Sequence, residues 1–147
     1  MSRKYSQDYE DGVRSEQECH IPIEQYLKHP LKLSGSRYST FDYEGENILA
    51  ELKTRRMVRK GLYTTVFVNT NKWDAGAASE KDVFFFFRYA DGLFVYNQDK
   101  THDFKRTMVG NQNRDRYTQK SQCVEIPTNM LTFVCEVPPP SNVVFFD

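Results

Sequence analysis

The densest apolar stretch in the chain is Val83 to Tyr89 (VFFFFRY), which is almost continuously hydrophobic. A run of that length without alternation predicts a central strand covered on both faces. Ala90-Asp91-Gly92 signals a tight turn, leading into Leu93 to Tyr96 as the partner of a β-hairpin. Tyr63 to Asn69 (YTTVFVN) is β-branched and aromatic and predicts another strand. Between the two, Asn71 to Glu80 carries small residues and predicts a short helix. Leu31 to Leu33, Cys123 to Ile126 and Met130 to Val137 are shorter strand candidates, the second an edge strand stopped by Pro127.

Polar segments frame these runs. Residues 1 to about 11 read as a loose lead-in. Gly12 to Lys28 has helical composition, but Pro22 should end or kink the helix near His20, and Pro30 closes the region. Ser34-Gly35-Ser36 and the basic Met57 to Gly61 are loops. Residues 97–120 are polar and irregular, with a weak basic cluster at Lys105, Arg106, Arg114 and Arg116. The tail, residues 138–147, starts in extended polyproline geometry and ends on Val143-Val144-Phe145-Phe146, which suits docking on its own domain or a homodimer contact. The order of elements predicts an α/β fold with a mixed, mostly antiparallel sheet flanked by helices, and the length predicts one domain over 1–147.

Composition narrows the partners. Twenty basic and 20 acidic side chains leave no net charge, so any surface for nucleic acid has to be local. The three cysteines, Cys19, Cys123 and Cys135, fit neither a disulfide framework nor zinc spacing, which points to a reducing, intracellular compartment. The apolar runs are too short to cross a bilayer, and the first residues lack the apolar core of a secretion signal. No membrane partner is expected.

The candidate chemistry lies in Arg37 to Arg56, RYSTFDYEGENILAELKTRR. On a strand, Glu51 and Lys53 project from one face. An acid and an amine side by side are costly in a core but suited to holding a divalent metal and the water it activates. Asp42 joins them only in one register. A turn at residues 43–46 would leave Asp42 about 13 Å from Glu51, whereas a turn at 45–48 sets them opposite, about 5 Å apart. Gly45 and Asn47 are suited to unusual backbone angles there. The competing assignments are an exposed strand face with scattered charges and, for Glu16, a solvated helix face.

Asp42, Glu51-Leu52-Lys53, the following β-run, the short helix and the VFFFFRYADGLFVY hairpin together resemble the PD-(D/E)xK nuclease superfamily over roughly residues 12 to 97. Small members from phages and large DNA viruses are the most similar in pattern. Phe41 stands where the superfamily has proline. The resemblance implies a restriction-endonuclease-like core and Mg²⁺ or Mn²⁺ held by Asp42, Glu51 and the Leu52 carbonyl. It also implies Lys53 at the attacking water and an acid from the first helix, Glu16, with Glu18 as runner-up. Arg55, Arg56, Arg59 and Lys60, directly after the motif, and Lys72 are candidate phosphate contacts. The expected activity is metal-dependent phosphodiester hydrolysis, DNA favoured over RNA, in a viral or phage protein acting inside the host cell. The alternative is a catalytically inactive relative that binds nucleic acid or serves as a viral structural or interaction protein.

Overall fold

The computed structural model describes residues 3–34, 40–55, 59, 63–110 and 120–138, with side chains from Glu10 onward except at position 11. A six-stranded sheet is built from β1 (Lys32–Leu33), β2 (Tyr43–Glu44), β3 (Ile48–Thr54), β5 (Asp82–Tyr89), β6 (Gly92–Asn97) and β9 (Thr132–Cys135), in the order β1-β2-β3-β5-β6-β9. A three-stranded sheet holds β4 (Thr65–Asn69), β8 (Lys120–Pro127) and β7 (Arg106–Gly110), in the order β4-β8-β7. The helices are α1 (Arg3–Leu27) and α2 (Thr70–Ala78). The architecture is mixed α/β with mostly antiparallel pairing; the β3–β5 pair is parallel, and β4 and α2 form the crossover between them.

The VFFFFRY run does become a central strand, and both of its faces are covered because they belong to two different cores. Val83, Phe85, Phe87 and Tyr89 pack with Trp73, Val66, Val68, Val124 and Ile126 beneath the second sheet. Phe86 packs with Ala50, Leu52, Tyr43, Cys19 and Ile23 beneath α1. Among the described residues no helix is long and apolar enough to cross a membrane.

Several expectations need correction. The N-terminal segment is no loose lead-in, because α1 already begins at Arg3. Pro22 does not end the helix either. Losing one backbone hydrogen bond there is outweighed by burial of Ser15, Cys19 and Ile23, spaced four apart on the face turned to the sheet. The helix stops instead after Leu27, where Lys28 takes a left-handed conformation (φ 54°) and the His29 amide returns to the Glu24 carbonyl. Residues 97–120 are not wholly irregular, since Arg106–Gly110 forms β7, and β8 is longer than expected and lies in the middle of its sheet. Strand β8 satisfies two neighbours at once, which Pro127 at its last position does not prevent. The terminal apolar cluster at 143–146 lies outside the described residues.

Candidate functional site

The site forms where β2 ends. Tyr43 pairs with Ala50 and Glu44 with Leu49, and the Gly45 amide bonds the Ile48 carbonyl at 2.8 Å, so the turn falls at 45–48. Neither Gly45 nor Asn47 takes a positive φ, so the turn does not use the unusual backbone angles expected of them. One register step beyond Tyr43–Ala50 brings Asp42 opposite Glu51. At that step the ladder breaks: the Leu52 amide donates to Asp42 Oδ2 at 2.8 Å in place of a backbone carbonyl. In an extended strand the N–H and C=O of one residue leave by the same edge, so the Leu52 carbonyl is also directed to the Asp42 side.

Helix α1 supplies the third acid. The Tyr43 hydroxyl donates to the Glu16 backbone carbonyl at 2.5 Å, pinning that turn of the helix against the end of β2. The Glu16 carboxyl on that turn feels the charge of Asp42, as does that of Glu51. Its pKa is pushed up to about 8, first by burial and then by Asp42. Glu51 is only 3 % exposed and is also pushed up to about 8, by burial and then by Asp42, against the lowering effect of Lys53 and Lys72. A solvated strand face is therefore excluded for Glu51. The runner-up, Glu18, points elsewhere and pairs with Arg88.

Lys72 is placed where the sequence did not put it. Its Nζ stands 3.2 Å from Glu51 Oε2 and donates to the Thr40 carbonyl. The other oxygen, Glu51 Oε1, is buried without a hydrogen-bond partner. Lys72 is held in position by its neighbour in α2. Trp73 is stacked between Phe85 and Tyr96, at 5.9 and 6.1 Å, and its carbonyl accepts from the buried Gln98 amide. Asn69 caps this helix through the Asn71 amide, a signal visible in the NTNK sequence. What could not be read there is that Lys72, in the first turn of α2, reaches Glu51 on β3.

Lys53 shares the Glu51 face of β3, half-buried; burial raises the pKa of both Glu51 and Cys123, and the Lys53 charge works against that rise. The expected basic strip dissolves in part. Arg55 turns inward, donating to the Phe67 carbonyl at 3.1 Å, and burial lowers its pKa. Arg59 lays its guanidinium over the Phe94 ring, 5.1 Å from the centroid, while its amide bonds Asp91. Both side chains are drawn inward, Arg59 onto an aromatic ring of the core, where an arginine stem packs well. Arg56 and Lys60 lie outside the described residues.

Sequence reasoning missed the support of α1. Arg88, 2 % exposed, donates to Ser15 Oγ, Glu18 Oε2 and the Pro138 carbonyl, and Ser15 Oγ also meets Thr54 Oγ1 at 2.7 Å. The one available signal was a charged residue inside VFFFFRY. A groove of about 440 Å³ is lined by Lys32, Leu33, Ser34, Thr40, Phe41, Glu44 and Leu49, with none of the three acids on its wall.

The donor set is all oxygen: three carboxyls and a carbonyl, the hard ligands that suit Mg²⁺ or Mn²⁺. A buried Glu51 oxygen with no partner is the kind of atom a cation satisfies. In the geometry described, no three acidic, histidine or cysteine side chains converge at ligand spacing among the described residues. The cation seen at Glu51 is Lys72. No protein-family model matches the chain, and no curated protein matches it in sequence.

Proposed function

We propose that this chain is a metal-dependent nuclease of the PD-(D/E)xK type, with a restriction-endonuclease-like core, hydrolysing phosphodiester bonds with DNA as the favoured substrate. One observation carries the reading: Asp42 and Glu51 face each other across a broken ladder with Glu16 beside them, while a buried Glu51 oxygen has no partner. A plain core has no use for a buried, unpartnered carboxyl oxygen on Glu51 within the charge of a second acid, Asp42.

In this reading Asp42, Glu51 and the Leu52 carbonyl hold Mg²⁺ or Mn²⁺, and Glu16 completes the acid set from α1. Bound there, a divalent cation would supply polarisation of a phosphoryl oxygen and a more acidic attacking water. Lys53, two residues beyond Glu51 on the same face, orients that water and offsets charge gathering on the phosphate. Glu51 is almost wholly buried, so these interactions act in a poorly solvated setting, where each is stronger than in water. The groove past Thr40 and Phe41, with Lys32 on its wall, offers a path for the substrate strand. The three free cysteines suit action in a reducing cell interior.

The decisive experiment is cleavage of plasmid, single-stranded, branched and RNA substrates across a Mg²⁺ and Mn²⁺ titration, beside Glu51→Ala and Lys53→Ala. Metal-dependent cleavage that both substitutions abolish is the expected result. Cleavage that survives either one, or that needs no metal, refutes the mechanism. Binding without cleavage in any metal would assign the chain to the inactive, nucleic-acid-binding class instead.

A further inference from the structure

Lys72 meets Glu51 in a way that a phosphate-binding lysine does not require. Its ammonium stands 3.2 Å from Oε2 of a carboxyl that is almost wholly buried, whereas the Lys72 side chain itself is 23 % exposed. The same nitrogen donates to the Thr40 carbonyl and lies 5.9 Å from the Phe41 ring centroid. Three electron-rich groups thus surround one positive charge: a carboxylate, a carbonyl and a ring face. Two of them, a carboxylate and a backbone carbonyl, are of the class that binds hard metal ions.

Resting on the nuclease reading of this site, we propose that Lys72 is its internal counter-ion, holding against Glu51 the place that Mg²⁺ or Mn²⁺ takes, so that metal has to displace it. An ammonium and a divalent cation sharing one buried carboxylate repel each other strongly in so dry a setting. The helix cannot carry Lys72 away, because Trp73 is stacked in the core and Gly76 packs against Gln98 with no room for a Cβ. The lysine stem can move. It has four rotatable carbons, and its outer part already reaches solvent. A single ammonium on Oε2 also leaves Oε1 without a partner, which marks the pairing as provisional. Lys72 therefore occupies the place beside Glu51 in the metal-free fold and sets a threshold concentration for metal.

The test is Mn²⁺ binding to the full chain by calorimetry, with no substrate present. Lys72→Met keeps the stem without the charge and should bind Mn²⁺ about tenfold more tightly than the parent. Lys72→Arg, which keeps the charge, should not gain affinity. Mn²⁺ should also raise the Tm of Lys72→Met by more than it raises the parent's. Lys72→Gln carries the same expectations should the methionine variant not fold. Equal or weaker Mn²⁺ binding by the uncharged variants overturns the counter-ion role and leaves the nuclease reading standing. No Mn²⁺ binding by parent or variant, at concentrations that support no cleavage either, overturns both.

Discussion

Asp42 stands across from Glu51, one step beyond the Tyr43–Ala50 pair, and takes the Leu52 amide on its side chain where a strand neighbour would have supplied a carbonyl. That relationship ends β2 and opens the edge of β3. It gathers the acids where α1 and α2 can both reach them.

Glu51→Gln separates the chemistry from the fold. The amide has nearly the same shape and no charge, so metal-dependent cleavage should fall on the order of 100-fold or more. Far-UV circular dichroism should be unchanged. Retained cleavage would remove Glu51 from the site.

Stability of the metal-free chain should decline as pH rises. Glu16 and Glu51 are pushed from 4.5 to about 8, so between those values the folded chain keeps protons that the unfolded chain has released. The unfolded state then binds fewer protons, and the free energy of unfolding falls through that window. The carboxyls with lowered pKa, Glu44 beside Lys81, Asp74 beside Arg106 and Asp99 beside Thr101, act below the window and do not offset it. Urea midpoints at pH 5, 6, 7 and 8 in chelator would show this, and a midpoint that climbs toward pH 8 contradicts the cluster.

Gly76→Ala tests the seat of α2. A Cβ at that position would lie 2.4 Å from Gln98 Oε1, and the expected loss is about 1–3 kcal/mol. Combining it with Gln98→Ala should cost less than the two single changes added together. Strict additivity in denaturation would mean that the two side chains do not share this contact.

Trp73→Ala should cost about 3–5 kcal/mol, because it empties a space bounded by Phe85, Tyr96 and Phe104. It should also loosen Lys72 from Glu51, visible as a change in the Lys72 side-chain signal by NMR. A loss under 1 kcal/mol would place Trp73 outside the core.

Arg88→Met should detach α1. Ser15 and the Pro138 carbonyl lose a buried donor and Glu18 loses its cation, for a loss of about 2–4 kcal/mol. Protection of the α1 amides from hydrogen exchange should fall before that of β5. Uniform loss across both would show that Arg88 does not act through the helix.

The register of the central hairpin lay open between two turns until the pairing of Tyr43 with Ala50 placed it at 45–48. The sequence did determine strands β4, β5 and β6, each set by neighbours in the chain: the β-branched and aromatic run of β4, the continuous apolar run of β5, and the turn residues at 90–92. It also placed Glu51 and Lys53 on one face, because a strand's period of two leaves no choice. Only the tertiary structure decided what surrounds that face. Pro22 argued locally for a break, and burial of Cys19 and Ile23 against the sheet overrode it. Glu16 reached Asp42 because Tyr43, 27 residues away in sequence, holds that turn of α1. Lys72 read as a surface phosphate contact, and Arg55 and Arg59 as part of a basic strip. Stacking of Trp73 sent the first to Glu51, while the aromatic core drew the other two inward. Local pattern fixes which way a side chain points; which charge waits there depends on contacts between segments that the pattern does not connect.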